Sequence, residues 1–279
     1  MTSPIELAVM ESFRKDVEAF KPGNISFYSS GHDMIASDFI RSAEVSTPIL
    51  CRRDFSLGER ILSSVNATQK AVSCNTNLGM ILLFTPIIMA AEQGYENIEK
   101  LTANLENTLT LLTKDDVNKV FEAIRIANPG GLGSSDTNDV MKPPDCSLKQ
   151  AMKQASQRDS VALQYSNNFS EVFNVGFETI KYFDKRWNSV KWSAVSCYLT
   201  FLSSMRDTHI ERKYGSKIAE QIKIKSGIIV EKFNNSIDPK ILLRFLKDFD
   251  RELKTKNYNP GTSADLTAAS LLVYYLLKT

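Results

Sequence analysis

Residues 147–165 read SLKQAMKQASQRDSVALQY, and the spacing of their apolar members decides the fold class. Leu148, Met152, Ala155 and Ala162 return at intervals of four, three and seven, the period of an α-helix with one buried face. The stretch is therefore predicted as one helix whose inner stripe is Leu148, Ala151, Met152, Ala155, Ala162 and Leu163. The same period recurs on either side of it. Leu7/Met10/Phe13/Val17, Ile61/Val65 and Leu242/Phe245/Leu246/Phe249 all follow it, the last with Asp248 and Asp250 on the polar side. Strand signals are weak, residues 222–230 (IKIKSGIIV) being the ambiguous exception. Breakers cluster at residues 21–24, 29–32, 128–135, 142–144 and 257–263. None forms an interdomain linker, and no internal repeat is visible. The expectation is an all-α fold, a single multi-helix domain over residues 1–279 with roughly ten helices.

Composition narrows the function classes. Thirty-four Lys and Arg face 32 Asp and Glu over 279 residues, so the chain carries a net +2 with its charges mixed, which argues against a nucleic-acid partner. With 43% hydrophobic residues it folds around a proper core rather than staying disordered. Cys51, Cys74, Cys146 and Cys197 are widely spaced without a CxxC pair, so neither a zinc ribbon nor a disulfide framework is indicated and a reducing compartment fits best. The first 16 residues lack the pattern of a secretory signal, and the longest apolar stretches, residues 80–91 and 271–277, are too short to span a bilayer. A cytoplasmic protein with no membrane partner is expected.

Charge on apolar faces marks candidate sites. Asp159 falls on the inner stripe of the 147–165 helix, where a carboxylate is costly unless paired or metal-bound. Adjacent Arg158 is a candidate structural partner, and site and internal ion pair both stay open. Asp265 shares a face with Ala268, Ala269 and Leu272 at the expected first turn of the last helix, behind a loop and N-cap at residues 259–263. The helix dipole alone would also favour an acid there. Asp38, beside Phe39, is a third case. Both histidines sit close to an aspartate, in Gly31-His32-Asp33 and Asp207-Thr208-His209. No zinc spacing accompanies them, and an oxygen-rich aspartate set favours Mg²⁺. The glycine-rich residues 128–135 lack the lysine and preceding strand of a P-loop, and closing one helix and opening a loop, which needs no function, is the favoured reading of them. No GxSxG elbow is present.

In chain order, KPGN (21–24), GHDM (31–34) followed by Asp38-Phe39 and Ser42, CNTNLG (74–79), DTH (207–209) and NPGTSADLTAASLL (259–272) together resemble the triphosphoribosyl-dephospho-CoA synthase family. The resemblance implies an all-helical transferase acting on ATP and 3′-dephospho-CoA, or a related cofactor precursor. Adenine leaves, and the triphosphorylated ribose joins the 2′-hydroxyl of the acceptor. A related nucleotide-dependent step in assembling another coenzyme, such as a one-carbon cofactor, and a non-enzymatic helical scaffold are the alternatives. Family members usually read NTHKG where this chain reads Asn75-Thr76-Asn77-Leu78-Gly79, so a His and a Lys are absent here.

Cleaving a ribose–base bond builds oxocarbenium character that a carboxylate stabilises, while a second group takes the proton of the attacking hydroxyl. The triphosphate needs Mg²⁺ and cationic or N–H donors. Together with the charged positions above, the resemblance makes His32, Asp33, Asp159, Asp207 and His209 the catalytic candidates. Lys21, Gly23, Asn24, Asn75, Asn77, Gly79, Asn128, Gly130, Gly131, Arg158, Gln164, Asn259, Gly261 and Ser263 are the substrate-binding ones. Asp33, Asp38 and Asp265 are the candidate Mg²⁺ ligands, and a homodimer is an open expectation.

Overall fold

A computed structural model describes residues 2–31, 34–130 and 139–278, and nearly all of them lie in helices or the short turns that join them. The α-helices are α1 (Pro4–Glu18), α2 (Ala36–Leu50), α3 (Leu57–Val72), α4 (Leu78–Ala91), α5 (Ile98–Thr110), α6 (Lys114–Ala127), α7 (Leu148–Ala155), α8 (Ser160–Ser166), α9 (Glu178–Trp187), α10 (Val190–Ser204), α11 (Thr208–Tyr214), α12 (Ser216–Asn235), α13 (Leu243–Thr255) and α14 (Gly261–Lys278). A π-helical turn (Val172–Phe177) leads into α9, and a 3₁₀ turn (Pro239–Leu242) into α13. The all-α expectation holds, with more and shorter helices than the ten expected. Residues 222–230 lie inside α12, and the described residues contain no strand beyond two isolated bridges at residues 26–34.

Local chemistry sets the helix starts. Ser3 with Glu6, Ser56 with Glu59, Thr113 with Asp116 and Ser147 with Gln150 form reciprocal capping boxes, each answering backbone N–H groups that a helix start leaves open. α4 and α14 are apolar nearly all round and run through the core, packing on each other and on α1. Among the described residues no helix is long and apolar enough to cross a membrane.

Four expectations are corrected. The 147–165 stretch is two helices, broken at residues 156–159, so Asp159 is not on a helical stripe but is the N-cap of α8. Asp265 lies in the second turn of α14, because that helix already starts at Gly261. The stripes shift by a residue or two: Leu7 is 53% and Phe245 56% exposed, while Ala8, Val9, Phe13 and Val17 on α1 and Leu246, Phe249 and Leu253 on α13 face inward. Asp250, expected on the polar side, is buried; it accepts hydrogen bonds from Gly23 N (2.8 Å) and Ser29 Oγ (2.7 Å) and pairs with Lys254.

Candidate active site

The helices leave a cavity of about 550 Å³ where α2, α4, α6, α7, α8, α11 and α14 approach one another. Its apolar wall includes Met34, Phe39, Leu78, Leu82, Phe121, Ile124 and Met152. Facing it are Arg158, Asp159, His209, Arg212, Lys213 and Asp265, with Asn24, Asn75, Thr76, Asn128, Gln154, Asn259 and Thr262 between them. An apolar enclosure with a few convergent charged groups is the usual form of a small-molecule site.

Two loops are tied together beneath it. Asn24 Nδ2 donates to Asn259 Oδ1 at 2.8 Å, joining the KPGN loop to the segment before α14. Gly23 adopts φ +82°, and a Cβ there would meet Leu253 and Pro260 at 2.8 Å, so only glycine suits the turn. Lys21 is fully buried in an ion pair with Asp16, whose carboxyl burial pushes above its ordinary range against the pull of that lysine.

Asp207 clamps two helix starts. Its Oδ1 accepts from His209 N (3.0 Å) and Ile210 N (3.2 Å) as the N-cap of α11, while Oδ2 accepts from Ser263 N (2.7 Å) and Ser263 Oγ (2.8 Å) on α14. Burial raises its pKa, with the Ser263 and Ile210 bonds and Arg212 pulling the other way. The start of α8 joins the same knot, since Ser160 N donates to Thr208 Oγ1 (3.2 Å), which lies 3.1 Å from Thr262 Oγ1. Four short polar side chains, Asp207, Thr208, Thr262 and Ser263, thus hold α8, α11 and α14 in register around the cavity.

Asp159 accepts from Val161 N (2.9 Å) and Ala162 N (3.0 Å) with one oxygen and ion-pairs with Arg212 through the other, so its structural partner is Arg212 and not the adjacent Arg158. The His209 ring lies on Gly261, where a Cβ would come within 2.4 Å of Nδ1. Asp265 differs from all of these. Its Oδ2 rests on Gly79 at the start of α4, so closely that a Cβ there would stand 2.0 Å away. Among the described residues no hydrogen bond or ion pair reaches its carboxylate. Burial drives its pKa well above the ordinary carboxylate range, and Asp16, Asp207 and Asp159 push the same way against Lys21.

Of the residues singled out in the sequence, Asn24, Asn75, Gly79, Asn128, Gly130, Arg158, Asp159, His209, Asn259, Gly261 and Asp265 line this cavity. Lys21, Gly23, Asp207 and Ser263 form its supports. Asn77 is the buried N-cap residue of α4. Gln164 is buried at the end of α8, where Nε2 donates to Glu171 Oε2 at 2.8 Å. Asp38 closes the start of its own helix by accepting from Ile35 N at 2.9 Å and does not line the cavity. His32, Asp33 and Gly131 lie outside the described residues. The described residues show no group of three His, Cys, Asp or Glu side chains arranged to hold a metal. Sequence reading missed Arg212, Lys213 and Thr262. The signal for the two cations was present: they follow His209 by three and four positions, which places all three on one face of α11.

The family model of the ATP:dephospho-CoA triphosphoribosyl transferases (CitG) matches residues 2–279. No curated protein and no solved structure matches the chain. A match that runs the length of the chain takes in every motif bordering the cavity and every residue of the clamp beneath it, and the chain belongs to the CitG family of ATP:dephospho-CoA triphosphoribosyl transferases.

Proposed function

We propose that this cavity is where the chain carries out its family's reaction, breaking the C1′–N bond of ATP and joining C1′ to the 2′-oxygen of dephospho-CoA. The observation that carries the reading is Asp265, a carboxylate left without a hydrogen-bond partner among the described residues on the wall of a largely apolar cavity. A scaffold gains nothing from such a group, whereas a site that must meet positive charge does. The cationic side formed by Arg158, Arg212 and Lys213 receives the triphosphate. His209, with its ring at the cavity edge over Gly261, takes the proton of the attacking hydroxyl. Asp159, anchored by Arg212 and two N–H groups, supplies negative field beside the sugar. Adenine leaves with the bonding electron pair and picks up a proton.

Mg²⁺ fits the donor set in a limited way. Such ions are held by one or two carboxylates plus substrate phosphates, and of the expected ligands Asp265 faces the cavity with no other bond among the described residues while Asp38 caps α2. Asp265 is therefore the protein ligand proposed for a Mg²⁺ that arrives with the triphosphate and neutralises its charge. Incubating the protein with ATP, Mg²⁺ and dephospho-CoA should release free adenine, detected by chromatography, and Asp265→Asn should abolish it. Absence of adenine from the wild type overturns the reading.

A further inference from the structure

The charged groups of the cavity differ in exposure, with Asp159, Arg212 and Asp265 partly buried and Lys213 exposed. Asp265 rests against the start of α4, on Gly79. The side chains of Arg212 and Asp159 are 20% and 29% exposed. Lys213 is exposed at the mouth, in the last turn of α11. The three cations are also not equivalent. One face of the Arg212 guanidinium is taken by Asp159, whereas Lys213 forms no ion pair and no hydrogen bond among the described residues. Its stem lies across Gly130, where a Cβ would stand 2.6 Å from Cε and 3.1 Å from Nζ, so a side chain there would push the lysine aside. Asn128 also borders the cavity on that loop, adding an amide to the same edge.

We infer that Lys213, laid over Gly130 beside Asn128, is the residue that reads the terminal phosphate of the donor and makes the enzyme select a nucleoside triphosphate over a diphosphate. The inference rests on the reading above and deepens it. If the ribose and the first phosphates lie beside Asp265, the phosphate chain runs outward past Arg212, and its last phosphate meets Lys213, a cation with no protein anion to satisfy it among the described residues. A compact ammonium on a flexible stem suits a terminal phosphate, which presents several equivalent oxygens and needs no fixed fork.

The test compares ATP and ADP as donors for adenine release by the wild type, Lys213→Met and Lys213→Arg. The wild type should favour ATP. Lys213→Met should raise KM for ATP about tenfold to a hundredfold, the scale of one charge-assisted hydrogen bond, and bring it near the KM for ADP. KM for dephospho-CoA should stay nearly constant, and Lys213→Arg should recover most of the preference for ATP. If Lys213→Met impairs ATP and ADP equally, or leaves KM for ATP where it was, the assignment is wrong while the proposed function stands. If the wild type releases adenine from neither nucleotide, both fall together.

Discussion

The ionised form of Asp265 has no partner among the described residues to balance it, and the consequence for stability has a definite sign. Its pKa is raised in the folded protein, so the folded state binds a proton that the unfolded chain, titrating at about 3.9, has already lost. Stability from this group is complete below that value and fades as pH rises through the folded pKa. Asp265→Asn removes the penalty, so the empty variant should melt higher than the wild type at pH 7, by about 1 kcal/mol, and match it near pH 4. Melting curves across that range check it, and a variant less stable at pH 7 would show the carboxylate to be bonded after all. Asp207 predicts the opposite. Four bonds converge on it, so Asp207→Ala should lose about 2–4 kcal/mol by denaturant titration, because its removal opens two helix starts at once. The sequence marked both aspartates but could not separate them. What distinguishes them is Ser263, 56 positions from Asp207 along the chain, and a distance of that kind leaves no trace in local spacing.

At the scale of elements, helical period was legible wherever a helix buries one face, and misleading where two helices continue one rhythm. Ala155 and Ala162 are seven apart, two turns of an unbroken helix, so the break between α7 and α8 leaves the period intact. The sign of the break was chemical: an Asp immediately before Ser160-Val161 is a good N-cap, and capping needs extended backbone, which Asp159 has at φ −145° and ψ 117°. α4 offers a sharper test of how elements build the site. Gly79 is its second residue, a position where alanine on an exposed helix would stabilise by about 1 kcal/mol. Here the added methyl would stand 2.0 Å from Asp265 Oδ2 and 2.5 Å from its Cγ. Gly79→Ala should instead destabilise by about 1–3 kcal/mol and suppress adenine release. Combining it with Asp265→Ala should restore much of the stability but none of the activity, and a double variant no more stable than Gly79→Ala alone would place the clash elsewhere.

Across the whole molecule, a net charge of +2 conceals a local arrangement that average composition cannot reveal: three cations and a carboxylate with no partner among the described residues, drawn from α11, α14 and the α7–α8 connection into one cavity. Those elements span residues far apart in the chain, so a ligand that touches them all holds the fold together and should stabilise it by mass action. At a hundredfold excess over its Kd, Mg²⁺-ATP should add about 2.7 kcal/mol, a rise of several degrees in Tm for a chain of this size. The dependence on metal is the informative part. If Asp265 completes the coordination of a Mg²⁺ that bridges to the triphosphate, ATP with EDTA should give a smaller shift than Mg²⁺-ATP in the wild type. In Asp265→Asn the two should give the same shift, since the cationic side still binds phosphate while the metal has lost its protein ligand. A wild-type shift indifferent to Mg²⁺ would remove the ion from the site and leave Asp265 to act on the sugar directly.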